Sequence, residues 1–377
     1  ESSALTISCP SGRVIHTGDF KLDKTPVVGE PFDLDLWREI VKDQVHALIC
    51  DSTNVLSTNE GRSEGSLKDN ITSLISKAPK MVIATTFASN IARLKTLAEA
   101  GQSVGRSICI MGRAMRRMIE TALETGVLKD FPKVVSSEEA GSIPREHLML
   151  LVTGSQGERR AASAQLSAGK FQGIEIKERD LFLFSSKTIP GNERGVIRVI
   201  NQLAQKGVDV VDDSSGLYHA SGHANRCDLS FIHRLVQPKI IIPMHGEHRH
   251  LLAHSKLAEE NGKVSLVCVD GMMLELSGKV PEVIDKVDTG RIYLDGKVQY
   301  GAYDGVVRDR IRVATNGFVS VTIVKNGENI TFGEPLVKIR GLPKVGTSNV
   351  LLEDILEEDL MQFIGRADIK TLRNDEN

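Results

Sequence analysis

The segment KIIIPMHGE, residues 239–247, carries three consecutive isoleucines into Pro243 and Met244 and then sets His245 directly before Gly246. A short, continuous apolar run rich in β-branched residues suits a strand buried on both faces, as in a parallel sheet covered by helices. Seven further runs share the pattern: HALICD (46–51), MVIATTF (81–87), SICIMG (107–112), HLMLLVTG (147–154), LFLFSS (181–186), VDVVDD (208–213) and VSLVCVDG (264–271). Helical periods lie between several of them. In SLKDNITSLISKA, Leu67, Ile71, Leu74 and Ile75 recur at three- and four-residue spacing, with charges opposite. Strand-like and helical stretches in alternation predict an α/β chain with parallel sheets.

Open parallel sheets bind ligands beyond the carboxyl ends of their strands, so the polar residues closing these runs are the informative ones. They are Asp51-Ser52-Thr53, Thr153-Gly154-Ser155, Ser185-Ser186 and His245-Gly246-Glu247. Outside this region the pattern changes. LTISC and RVIHTGDF, around Pro10, Ser11 and Gly12, predict a hairpin over residues 4–22. FVSVTIV and NITFG flank Lys325-Asn326-Gly327 and predict a second one. The tail from 349 on holds eight acidic residues and an apolar stripe of Leu352, Ile355, Leu356, Leu360 and Phe363, read as a linker helix that stops before its partner.

A chain of 377 residues favours more than one domain, or one domain interrupted by another. Lys+Arg 47 against Asp+Glu 49 gives a net charge of −2, which removes a global basic signature and leaves a nucleic-acid role to local sites. The longest apolar runs fall far short of a membrane span. Five scattered cysteines without a CxxC pair argue against a disulfide framework and a thiolate zinc cluster, which places the chain in a reducing, cytoplasmic setting.

Each candidate site has two readings. Asp19, in HTGDFK, is either a turn residue after glycine or a short, rigid carboxylate that bridges two divalent metals. His245 is a strand-end histidine and a candidate metal ligand, whereas His248, His250 and His254 read as a solvated helix face shared with Glu247, Arg249 and Lys256. The small-residue segment around Ser221, Gly222, His223 and Ala224 is either a plain loop or a cradle whose backbone N–H groups approach an anion, with His223 free to donate to a phosphoryl oxygen. His219, beside Tyr218, reads as structural. TGSQGE (153–158) and SSKTIPGNE (185–193) offer hydroxyls and amides suited to phosphate. No Walker loop and no GxGxxG opening a helix is present, which disfavours a nucleotide-cofactor enzyme. Arg113, Arg116, Arg117, Arg159 and Arg160 either line a basic groove or are solvated.

Together, TGDFK (17–21), CDSTN (50–54), TGSQGE, SSKTIPGNE, ASGHA (220–224) and PMHGE (243–247) closely resemble the ribonuclease J family, in that family's order over roughly residues 1–345. The resemblance implies a metallo-β-lactamase-type αββα sandwich, here partial, with an inserted doubly wound β-CASP domain. It divides the chain into 1–51 and 237–345 as metallo-β-lactamase segments, 52–236 as the β-CASP domain, and 346–377 as a linker toward a C-terminal domain. It implies catalytic roles for Asp19, Asp51 and His223, zinc ligation by Asp19 and His245, and RNA phosphate contacts from Ser185, Ser186, Ser221, Gly222, His223 and Ala224. Two zinc ions and a metal-activated water attacking phosphorus in line are the expected chemistry. The implied function is 5′-to-3′ exonucleolytic hydrolysis of RNA, with endonucleolysis as a variant, 5′-monophosphorylated RNA as substrate, and a homodimer or homotetramer as the assembly.

Two departures qualify these expectations. The family's HxHxDH motif and its next zinc-binding histidine belong upstream of TGDFK, yet the 18 residues before Asp19 hold neither. An incomplete N-terminus is therefore expected, with weak or no activity for this polypeptide. Lys187, Thr188, Arg159 and Arg160 also stand where the family pattern differs, with consequences for the RNA channel. The competing readings are a non-catalytic β-CASP RNA-binding paralogue or scaffold and a β-CASP relative acting on DNA or mRNA 3′ ends.

Overall fold

The structure is a computed structural model that describes residues 3–301, 304–326, 331–346 and 349–366. Two compact units divide the chain, Glu1–Lys286 and Val287–Asn377. The boundary falls inside the 237–345 span expected as one segment.

In the first unit the chain begins with the expected hairpin, β1 (Leu5–Cys9) antiparallel to β2 (Gly12–His16), and β3 (Val45–Asp51) then pairs parallel with β2. It next builds β4 (Val82–Thr85), β5 (Ser107–Met111), β6 (Val134–Val135), β7 (Leu148–Val152), the small pair β8 (Lys170–Phe171) and β9 (Ile174–Glu175), β10 (Leu181–Phe184) and β11 (Asp209–Val211). Finally β12 (Ile240–Met244) returns beside β3, with β13 (Val264–Ser265) at its far edge. The first sheet has the order β1-β2-β3-β12-β13 and the second β11-β10-β4-β7-β5-β6. The second sheet is an insertion between two neighbouring strands of the first.

Every pairing in the inserted sheet is parallel, and helices cover both faces. On one face Ile71 and Ile75 pack with Leu94, Leu97 and Ile119; on the other Leu166, Val199 and Leu203 pack with Phe182 and Phe184. This is the doubly wound arrangement expected, and the amphipathic stripe of residues 67–75 is its reason: Leu67, Ile71 and Ile75 are fully buried, each contributing roughly 1.5–3 kcal/mol, and Leu74 is partly covered.

The helix Arg226–Val236 lies within the expected β-CASP span, yet its buried face joins the first sheet's core, where Leu229, Ile232 and Val236 meet Ile15, Leu48 and Ile241. Spacing of i, i+3 and i+7 puts these three on one side of the helix.

In the second unit Phe318–Thr322 pairs antiparallel with Leu336–Arg340, and Lys325–Asn326 with Thr331–Phe332 nested inside, so the expected hairpin is a longer one; its tip residue Gly327 lies outside the described residues. The helix Leu352–Arg366 is not a free linker. Glu353 and Glu357 accept hydrogen bonds from the backbone N–H groups of Ile339 and Val337, at 2.9 and 2.8 Å, and so dock the helix on that strand. The tail acids Asp368, Asp375 and Glu376 lie outside the described residues.

Candidate metal centre and nucleic-acid cleft

Parallel pairing brings the candidate residues together. β2, β3 and β12 run the same way, with His16 opposite Ile49 and Asp51 opposite Met244, so the segments that follow them leave from one edge of the sheet. Thr17, Gly18 and Asp19 follow β2; Asp51 ends β3; His245 follows β12. Gly18 adopts φ +61°, a left-handed conformation that glycine takes without steric penalty, and its N–H donates to His16 Nδ1 at 3.1 Å. His16 therefore serves this turn. His245 is itself left-handed at φ +54°, a state that costs a residue with a Cβ roughly 1–3 kcal/mol and that clusters at functional sites.

The result is a contact between His245 Nδ1 and Asp19 Oδ1, with side chains 50% and 48% exposed. His223 arrives from the far side of the insertion: its Nδ1 is 2.7 Å from Asp51 Oδ2, and its ring meets that of His245 edge-on at 5.4 Å. Asp51 is only 1% exposed. Burial alone would raise its pKa, but hydrogen bonds from His223 and from the N–H and hydroxyl of Thr53 outweigh burial and hold it below the ordinary value. Conversely, the hydrogen bond to Asp51 raises the pKa of His223. Thr53 Oγ1 also lies 2.9 Å from the His245 carbonyl oxygen, linking the Asp51 and His245 segments.

Donor atoms of Asp19, His223 and His245 lie within 4.8 Å of one another. A carboxylate with imidazoles is a donor set that zinc accepts, so these residues could hold a divalent cation, and His223 is also anchored to Asp51.

A cleft of about 330 Å³ adjoins His223. Lys21, Arg62 and Lys187 line it alongside the carboxylates Glu60, Asp213 and Asp228, together with Asn54, His219 and Ser221. None of the arginines considered for a basic groove is among its lining residues; Arg116, for one, donates to the Ile110 carbonyl. Asn54 Nδ2 reaches Ser221 Oγ at 2.8 Å and the His223 carbonyl at 3.2 Å, which ties the ASGHA loop to the loop after β3. Gly222 is exposed with open space where a Cβ would stand, and Ala224 is buried in the first sheet's core.

Ser185 and Ser186 sit elsewhere than in the cleft. Ser185 is fully buried, donates to the Tyr218 carbonyl at 2.6 Å and accepts from Arg93; Ser186 Oγ is buried with no hydrogen-bond partner. Lys187, two residues on from Ser185, is the residue of that loop that lines the cleft. Gln156 of the TGSQGE segment holds the loop from both ends, donating to the Lys187 carbonyl at 3.0 Å and accepting from the Ile189 N–H at 2.8 Å. Gly157 permits the approach, since a Cβ there would lie 2.1 Å from the Gly195 backbone.

Beneath these loops lies Arg93, fully buried. It pairs through two nitrogens with Glu64, at 2.5 and 2.9 Å, and donates to the Ser185 carbonyl and to His219 Nδ1 at 2.8 and 3.2 Å. Burial and then the Arg93 charge push His219 down to about 4, so the ring is neutral, and with Nδ1 accepting, its proton resides on Nε2.

Comparison with known proteins places the chain in a family. Three family models match in chain order: Ribonuclease J, beta-CASP domain, over residues 79–203; Zn-dependent metallo-hydrolase RNA specificity domain, over 216–268; and Ribonuclease J C-terminal domain, over 305–377. Ribonuclease J of Sinorhizobium meliloti is 35% identical over 376 residues, covering 99% of the chain and 67% of that relative. The chain belongs to the ribonuclease J family. Within that family, the Thermus thermophilus Ribonuclease J is 33% identical over 99% of the chain and 63% of the relative, and the Corynebacterium glutamicum one is 33% identical over 89% and 48%. The chain thus spans about half to two thirds of the length of these ribonuclease J relatives. The match over 305–377 includes the helix read from the sequence as a linker.

Proposed function

We propose that this chain carries a substrate-binding cleft and metal ligands of a zinc-dependent ribonuclease that hydrolyses RNA phosphodiesters from a 5′-monophosphorylated end. The observation that carries the reading is the convergence of Asp19, Asp51, His223 and His245 at one sheet edge beside a cleft lined by Lys21, Arg62 and Lys187.

Asp19 and His245 would hold the metal, which when bound polarises a phosphoryl oxygen and activates water. His223 donates Nδ1–H to Asp51 and so has its ring orientation set; in the protonated form that Asp51 favours, Nε2–H is a charged donor for a phosphoryl oxygen as negative charge develops. Asp51 stays ionised under the same conditions and keeps His223 in place. Lys21, Arg62 and Lys187 neutralise the RNA backbone, while Ser221 and the exposed backbone at Gly222 offer uncharged contacts. Ser185 acts as a strut of the loop that delivers Lys187.

A second reading is RNA binding without hydrolysis, which the cleft beside His223 would serve with or without a bound metal. Single-turnover hydrolysis of end-labelled RNA in zinc separates the two. Release of nucleotides from 5′-monophosphorylated but not triphosphorylated RNA, lost in Asp19→Asn, supports the first reading. Tight binding with no release supports the second, and absence of RNA binding defeats both.

A further inference from the structure

Outside the cleft and metal centre, a second group of histidines is buried in the first unit. His254, in the helix His248–Glu260, departs from the solvated face that its neighbours predict; it is fully buried, as are His233 and Ser52. Packing is the cause, since the helix Arg226–Val236 lies against this face and brings His233 to it: His233 Nε2 is 3.0 Å from His254 Nε2. Burial pushes His233 down to about 4 and His254 to about 3, so both rings are neutral.

The directions of the hydrogen bonds follow from donor and acceptor chemistry. Asn261 Nδ2 reaches both the Leu257 carbonyl, 3.0 Å away, and His233 Nδ1, 3.2 Å away. A carbonyl only accepts, so the amide nitrogen must be on this side, and His233 Nδ1 accepts as well. A neutral ring that accepts at Nδ1 carries its proton on Nε2, so His233 donates to His254 Nε2. His254 then carries its proton on Nδ1 and donates to Ser52 Oγ at 2.8 Å, whose own proton faces the Cys50 carbonyl at 3.4 Å. Each donor hydrogen along the chain Asn261, His233, His254, Ser52 has an acceptor, the two of the Asn261 amide included, and no ion is needed to satisfy the group.

We propose that His233 and His254 are positioning residues that act through Ser52 to hold Asp51 and Thr53 against His223 and His245. Ser52 lies between the two residues that orient the site: Asp51 bonds His223, and Thr53 contacts both Asp51 and the His245 carbonyl. The Ser52 N–H also donates to the Met244 carbonyl at 2.8 Å, so backbone and side chain together pin the ends of β3 and β12. Buried networks with every member satisfied rigidify the groups attached to them. The role in catalysis rests on the nuclease reading of Asp51 and His223; the hydrogen-bond directions do not.

The test is long-range proton–nitrogen correlation NMR of the histidine rings in the full chain, assigned by single substitutions. The expected result is a neutral His233 protonated on Nε2, a neutral His254 protonated on Nδ1, and a displaced His223 Nδ1–H signal in Ser52→Ala that Ser52→Thr restores, with cooperative thermal unfolding kept. The opposite tautomers, or an unmoved His223 signal in Ser52→Ala, would overturn the proposal. So would zinc or iron found by elemental analysis and lost in Cys50→Ala, because Cys50, His233 and His254 would then be a metal site. Should His254→Ala fail to fold, the wild-type tautomers and Ser52→Ala still decide. If the signals behave as stated and RNA is not hydrolysed, the relay stands and the nuclease reading fails.

Discussion

His223 Nδ1 lies 2.7 Å from Asp51 Oδ2 across 172 positions of sequence, with the whole inserted sheet folded between them. The contact joins a carboxylate at the end of β3 to a loop that also lines the cleft. In Asp51→Asn the side chain keeps its shape and loses its charge, so His223 loses the interaction that raises its pKa. RNA hydrolysis is expected to fall on the order of 10²-fold or more, with RNA affinity little changed, measured as rate against binding by filter retention. An unchanged rate would remove Asp51 from the mechanism.

The same pair sets a stability window in the metal-free chain. The pKa of His223 is raised above the ordinary 6.5 and that of Asp51 lowered below 3.8, so their contribution is fully present between those values. It is lost as pH rises through the raised histidine value or falls through the lowered carboxyl value. His233 and His254 act differently. Neutral when folded, they leave the unfolded chain binding more protons below 6.5, so stability drops as pH falls from there toward about 4, by about 1.4 kcal/mol per pH unit for each histidine fully engaged. Denaturant midpoints between those pH values, in wild type and His254→Gln, measure the slope; the variant's should be shallower.

Lys187 and Arg62 line the cleft, so each is expected to contribute to RNA affinity through counterion release. For single-stranded RNA, loss of one phosphate contact lowers the slope of log affinity against log salt by about 0.7. Lys187→Ala and Arg62→Ala should each show this, while Arg113→Ala, whose side chain is not part of the cleft lining, leaves the slope unchanged.

Arg93 and Glu64 form a buried pair, 0% and 9% exposed at their side chains. Removing one partner strands a buried charge, so Arg93→Ala should cost about 3–5 kcal/mol in chemical unfolding. Replacing both by apolar residues of similar volume should cost less. An Arg93→Ala loss below about 1 kcal/mol would mean that solvent reaches the pair.

Much of this arrangement is legible in the sequence because parallel strands end on a common edge. Recognising β3 and β12 by their apolar runs already brings Asp51 and His245 to one edge, and the motifs TGDFK and ASGHA add Asp19 and His223; the parallel pairing of β2 with β3 was not legible, because residues 4–22 read as a hairpin alone. His254 was not legible, since its helix neighbours Glu247, Arg249 and Lys256 are those of a solvated face and only the helix Arg226–Val236 covers it. Arg93 sits in an ordinary amphipathic stretch, and its pairing with Glu64, 29 residues away, is a tertiary event. Arg62 carries no motif, and Lys21 closes TGDFK without a role assigned to it there; loop packing places both beside the cleft. Ser185 looks like a phosphate contact by residue type; its depth beneath the loop is set by Arg93 and Tyr218.

The central claim is that Asp19 and His245 grip a divalent metal beside His223. Titration of zinc into the full chain, followed by histidine ring NMR, tests it most directly and does not depend on tight binding. The account predicts that the His245 and His223 signals move together, and that Asp19→Ala abolishes the response while His233 and His254 stay unperturbed. Zinc responses confined to His248 and His250, or a His245 response that survives Asp19→Ala, would contradict it.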